Sequence, residues 1–181
     1  MHPHIHLVFV FQFIFFFSSA QVYTAKNGEV QFSSNAPLEM IDAKSNMLSG
    51  AIDATNRTFA FTLPVNSFKG FNNGLQQDHF NEKYMESQKY PNAVFKGKII
   101  EEVDLSANGT YSVRAKGMLN IKGVEVERII KTTVTVNGGK INAVTKFEIT
   151  LAEHKITIPK ILNQKIADKV EVKLNMNFSP K

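Results

Sequence analysis

From Gln21 onward the chain alternates apolar and polar residues with a period of two, and no other feature constrains its fold as strongly. Tyr111, Val113, Ala115, Gly117, Leu119 and Ile121 share one side of an extended segment, opposite Ser112, Arg114, Lys116, Met118, Asn120 and Lys122. The split recurs with Ile141, Ala143, Thr145, Phe147, Ile149 and Leu151, and again with Val170, Val172, Leu174, Met176 and Phe178. Successive side chains of a strand point to opposite faces, so each run reads as a strand buried on one face, as in an antiparallel sheet. Further runs of this kind occupy 29–34, 47–53, 58–65 and 93–103.

The connections carry hairpin chemistry. Asn27-Gly28, Lys122-Gly123 and Asn137-Gly138-Gly139 place residues that tolerate positive φ between alternating runs, and longer turns are expected at 55–57 and 106–109. Neighbours in sequence are therefore neighbours in the sheet. Two stretches break the pattern. Between Gly74 and Pro91, Phe80 and Tyr84 stand one helical turn apart with charge between them, which predicts one short helix around residues 75–87, ended by Pro91. The run 160–166 fits a helical turn or a crossover loop.

Eight or nine strands that are apolar on one face close economically as a two-sheet sandwich or as a barrel. The length of the runs 109–121 and 124–136 favours the barrel, and an eight-stranded barrel either fills with side chains or holds one slender ligand. Ala93, Gly97, Ala115, Gly117 and Ala143 fall on the inward face and are expected to leave space along the axis.

Residues 1–20 read as a leader rather than as fold. They contain no acidic residue, a run from Leu7 to Phe17 that is apolar except for Gln12, and then Ser18-Ser19-Ala20. That stretch is too short for a bilayer of roughly 30 Å and has the small residues a signal peptidase needs, so cleavage after Ala20 and a periplasmic or secreted product are expected. The leader carries His2, His4 and His6 where Lys or Arg is usual, and its Val-Phe-Val-Phe alternation leaves an N-terminal strand or anchor as the alternative. Residues 21–181 then form one domain, without repeat, heptad or linker.

The chain has no cysteine, which excludes a disulfide scaffold, a thiolate metal site and a Cys nucleophile. Its 21 basic and 16 acidic residues give a net charge of +5, compatible with a transient contact with a membrane surface. The lysines are spread along the strands rather than clustered with aromatics, which argues against nucleic acid.

Little here points to catalysis, and no enzyme, metal or cofactor is expected. Beyond the leader there are two histidines, His79 and His154, too few for an imidazole metal site, and no nucleophile elbow, phosphate loop or dinucleotide fingerprint occurs. Asp78 and His79 are adjacent on a helix and so do not face one another; His79 reads as a packing or hydrogen-bonding residue at the barrel rim. Arg128 is the anomaly. It falls in phase with Val124, Val126, Ile130, Val134 and Val136, where an unpaired guanidinium is costly. Either a bulge shifts the phase, or Arg128 reaches the barrel mouth and meets an acidic side chain or an anionic head group. The phenylalanines Phe32, Phe59, Phe61, Phe68, Phe71, Phe80, Phe95, Phe147 and Phe178 serve equally as core or as cavity lining, since both share one alternation.

The segment Phe68-Lys69-Gly70-Phe71, then Gln77-Asp78-His79-Phe80, Tyr84-Met85-Glu86-Ser87, Tyr90-Pro91-Asn92-Ala93-Val94-Phe95 and Gly117-Met118-Leu119-Asn120-Ile121-Lys122-Gly123 resemble the YceI-like family. Asp78-His79-Phe80 matches that family's Asp-His-Leu element, and Gly117, Leu119, Ile121 and Gly123 its Gly-x-Leu-x-Ile-x-Gly strand and turn. The resemblance implies an all-β fold, an eight-stranded antiparallel lipocalin-like barrel, that holds a polyisoprenoid, isoprenoid quinone or fatty-acyl chain. The residues expected at its interior and mouth are Phe59, Phe61, Phe68, Phe71, His79, Phe80, Tyr84, Phe95, Leu119, Arg128 and Phe147. Gln77 stands where an Arg is common, and 151–156 replaces an Arg-x-x-Phe-Gly segment, at the end of the barrel that shapes ligand choice. A filled, non-catalytic envelope-stress or structural barrel acting through its surface is the alternative function. Monomer and homodimer are both open.

Overall fold

A computed structural model describes residues 21–181; the expected leader lies outside the described residues. Eight strands follow one another: β1 (Val22–Asn35), β2 (Met40–Asp53), β3 (Thr58–Pro64), β4 (Asn92–Ile99), β5 (Gly109–Ile121), β6 (Val124–Asn137), β7 (Lys140–Thr150) and β8 (Lys169–Pro180). Each pairs antiparallel with the next, and β8 returns to β1 and closes the barrel. The expected eight-stranded antiparallel barrel is therefore present.

Turn chemistry and strand phase explain most of this. Lys122 and Gly123 at φ 53° and 73° join β5 to β6, and Gly138 and Gly139 at 57° and 72° join β6 to β7, as two-residue turns that match the twist of their strands. Asn27-Gly28 is different. It lies inside β1, where Asn27 at φ 62° makes a bulge instead of a hairpin. The segment before it pairs with the far end of β2, Val22 opposite Asp53. The bulge moves the buried phase from Tyr23 and Ala25 to Gly28 and Val30, and β2 slips in compensation between Ser45 and Leu48.

The two ends of the barrel differ. One carries the short β2–β3 and β6–β7 turns and the β4–β5 loop. It is sealed by Tyr23, Leu105, Val136 and Ile141, which are all buried. The other carries the β5–β6 turn and connections at 36–39, 65–91 and 151–168, of which the first is short and the other two long. Within the second lies α1 (Gly74–His79), capped by the Asn73 side chain accepting from the Gln76 N–H, followed by a π-helical turn over Phe80–Tyr84. This is the inserted helix, but Pro91 does not end it. Glu86, at φ 47°, does so in the left-handed conformation, with the Ser87 N–H reaching back to the Asn81 carbonyl at 2.8 Å and its carboxylate held by Lys122 at 2.9 Å. The third connection contains 3₁₀ turns at Leu151–His154 and Lys160–Leu162. Among the described residues no helix is long and apolar enough to cross a membrane.

Candidate ligand cavity

Inward-facing side chains of all eight strands enclose a cavity of about 520 Å³, within the range of sites for small hydrophobic ligands. Its deep part is walled by Ile99, Val113, Met176 and Phe178, with Phe59, Phe61 and Phe95 in mutual contact at ring separations of 5.2 and 4.9 Å. Nearer the opening a second aromatic cluster joins β1 to the long 65–91 connection. There Phe80 lies 5.4 Å from Phe32, 5.8 Å from Phe68 and 5.0 Å from Phe71. The wall between is aliphatic, with Ser34, Thr132 and Thr145 as its few hydroxyls.

Among the described residues the titratable side chains that line the cavity come from the connections at the open end: Glu39, His79, Tyr84 and Lys165. The Glu39 carboxylate accepts from the Gln76 amide at 2.9 Å and from the Asn72 amide at 3.2 Å. Lys83 bonds the His79 ring at 3.0 Å, one turn along the helix. Burial raises the Tyr84 phenol above its ordinary pKa. Among the described residues no group of three or more His, Asp or Glu side chains is placed to hold a metal.

Ten of the eleven residues expected at the interior and mouth line this cavity: Phe59, Phe61, Phe68, Phe71, His79, Phe80, Tyr84, Phe95, Leu119 and Phe147. Arg128 does not. The β5–β6 register runs unbroken from Gly109 opposite Val136 to Ile121 opposite Val124, so no bulge shifts its phase. Instead β6 and β7 part company. They pair only from Thr132–Thr145 to Asn137–Lys140, while β7 continues along β8 as far as Thr150 and β6 along β5 as far as Val124. The Leu151–His154 turn packs against β6 in the wedge that opens. There Arg128 pairs with Glu153, and buried His154 donates from Nδ1 to the Val124 carbonyl at 3.2 Å. An inward-phased guanidinium is thus tied to a carboxylate beside the cavity instead of reaching into it.

The small inward residues divide as well. Ala93, Ala115 and Ala143 line the cavity, whereas Gly97 and Gly117 do not. These two glycines face each other across β4 and β5, and a Cβ on Gly117 would lie 2.2 Å from the Lys96 carbonyl oxygen. Their smallness permits close strand approach and adds no free volume. Phe32 and Phe178, which the sequence left open as core or cavity lining and outside the eleven expected residues, also line the cavity. The 29–34 run lies wholly after the bulge at Asn27, so its alternation puts Phe32 in phase with Val30 and Ser34, as that of β8 puts Phe178 in phase with Val172 and Met176.

A family model described as a YceI-like domain matches residues 18–178. The chain belongs to the YceI-like family. Solved structures of similar fold support the same architecture. One is a polyisoprenoid-binding domain from Saccharophagus degradans, 15% identical with a TM-score of 0.72, covering 90% of this chain and 100% of that one. Another is BcnA of Burkholderia cenocepacia, 20% identical with a TM-score of 0.66, covering 83% and 95%. A third is a variant of the YCEI protein of Campylobacter jejuni, 13% identical with a TM-score of 0.56, covering 98% and 94%. No curated protein sequence matches the chain. Within the YceI-like family the motif residues now have places: His79 and Phe80 at the cavity mouth, Leu119 and Ile121 in its wall, and Gly123 in the β5–β6 turn, where a Cβ would strike the Tyr90 ring at 2.5 Å.

Proposed function

We propose that this chain is an exported bacterial binding protein that holds one long hydrophobic chain, of polyisoprenoid, isoprenoid quinone or fatty-acyl type, in its barrel. The observation that carries this reading is the cavity of about 520 Å³ with an aromatic and aliphatic wall and polar groups confined to its mouth. Such a site rewards length rather than polar recognition. A tail that buries about ten methylenes gains roughly 8 kcal/mol before ordering costs, enough to bind without an internal hydrogen bond. The Saccharophagus degradans domain, named for polyisoprenoid binding, shares the fold and adds to the case.

The same wall supports reading the role as non-enzymatic. Catalysis by acid and base needs paired titratable groups at the reacting atoms, and the deep cavity is lined by none. Export to the periplasm or beyond is supported by the leader pattern of residues 1–20. Native mass spectrometry of the exported protein tests both parts. A polypeptide beginning at Gln21 with a co-purified lipid, or with stoichiometric uptake of an added isoprenoid quinone, is expected. A bare polypeptide that takes up no quinone would instead favour a filled barrel acting through its surface.

A further inference from the structure

We propose that the open end of the barrel is a docking surface for an anionic lipid bilayer, against which the cavity is loaded and unloaded. The loading step rests on the lipid-binding reading above; the docking itself does not.

Four large apolar side chains stand exposed around the mouth: Leu38 at 68%, Leu75 at 64% and Ile161 at 88% on its connections, and Met40 at 60% at the start of β2. Hydrogen bonds make these connections one surface. The Leu38 N–H donates to the Gln164 carbonyl at 2.8 Å, and the Asn72 amide donates to the Met40 carbonyl at 3.1 Å. Single exposed apolar residues are ordinary, and Met47, Ile129 and Val144 on the barrel wall are of that kind. The mouth differs because its exposed residues gather where an apolar cavity opens, and Leu75 belongs to both, lining the cavity while exposed. At the sealed end the large exposed apolar residue is Ile100, at 38%.

Charge specifies the partner. The stretch 154–167 holds Lys155, Lys160 and Lys165 and no Asp or Glu, and all three lysines are exposed. None has an ion-pair partner among the described residues. Glu39 at the rim is engaged by Asn72 and Gln76, and the exposed Asp78 and Glu82 sit on the other flank, on α1 and its π turn. Lysines beside protruding Ile161 suit a surface that is negative at its head groups and apolar beneath. With the mouth so placed, a hydrophobic chain passes from bilayer to cavity without exposing its length to water.

Cosedimentation of the purified protein with vesicles of phosphatidylglycerol and phosphatidylcholine, against phosphatidylcholine alone, tests this. Binding to the anionic vesicles that weakens with salt is expected. The double variant Lys155→Gln/Lys160→Gln should bind roughly 30-fold more weakly, and Leu38→Asp/Ile161→Asp should lose binding. These four residues lie outside the cavity wall, so both variants should keep the wild-type melting temperature and take up a dispersed isoprenoid quinone from solution normally. Wild type that ignores anionic vesicles, or Leu38→Asp/Ile161→Asp that binds them like wild type, overturns the docking surface while quinone uptake leaves the cavity reading standing. Vesicle binding without quinone uptake does the reverse. A dimer that Ile161→Asp dissociates, in protein that binds no vesicle, would assign this face to a second copy and overturn the proposal.

Discussion

Phe32 of β1 and Phe80 of the π turn stack nearly parallel, centroids 5.4 Å apart and planes 17° from parallel, and so fasten the 65–91 connection to the barrel at the cavity mouth. Phe68 and Phe71 complete the cluster around Phe80. Aromatic pairs contribute about 0.5–1.5 kcal/mol each beyond their burial. Phe80 is half-buried, so Phe80→Ala should cost about 2 kcal/mol, less than a fully buried ring. A mouth freed of its fastening should release ligand faster. Urea denaturation and the dissociation rate of a fluorescent isoprenoid check the two effects separately, and a variant that loses stability with an unchanged release rate would confine the cluster to a structural role.

Ala115 offers the complementary test, because it faces the cavity from β5 and has free volume before it. Ala115→Phe projects a ring into that volume. Overpacking costs about 1–3 kcal/mol where there is no room, so a stability change below about 1 kcal/mol is expected here. Quinone uptake by native mass spectrometry should fall to background. Retained uptake in a stable Ala115→Phe protein would mean that the chain binds elsewhere.

Gly97 and Gly117 should be intolerant for the opposite reason. The atoms that an added Cβ would meet belong to the backbone, with the Lys116 carbonyl oxygen 2.0 Å from a Cβ on Gly97. Backbone in a paired sheet cannot yield as a side-chain tip can. Gly117→Ala is expected to cost about 3 kcal/mol or to prevent closure between β4 and β5, measured by thermal melting and near-ultraviolet dichroism.

These residues show what could be read in advance. One-sided burial made β5, β7 and β8 visible as strands, and the Lys122-Gly123 and Gly138-Gly139 turns made their order visible. A period-two pattern states which face is apolar and is silent on whether the enclosed space is filled, so alanines that open the cavity and glycines that close two strands looked alike. Arg128 stood out because charge broke the inward pattern. Its partner Glu153 did not, because the pairing depends on β6 and β7 separating beyond Thr132, and that separation follows from three-dimensional closure of the barrel. Phe32 was legible as an apolar residue in phase with Val30, but one alternation serves core and lining alike, and its place at the mouth depends on the 65–91 connection folding over it.

The wedge between β6 and β7 also predicts a dependence on pH. His154 is buried there, and burial lowers its pKa below the ordinary histidine range, helped by the nearby Arg128 guanidinium and opposed by the Val124 carbonyl and the Glu153 carboxylate. Nδ1 donates to Val124 while the buried Nε2 has no partner among the described residues, so a second proton there would be a buried unpaired donor and the neutral ring is the form the fold accepts. The unfolded chain therefore binds a proton at higher pH than the folded one, and between the two pKa values stability rises with pH. The contribution is complete above the ordinary histidine range and is lost as pH falls from there toward the depressed folded value. Wild type should melt at a lower temperature at pH 5 than at pH 7.5, and His154→Gln, which can still donate to Val124 but cannot titrate, should flatten that difference. An equal slope in both proteins would locate the acid sensitivity in other groups and leave His154 as a packing residue.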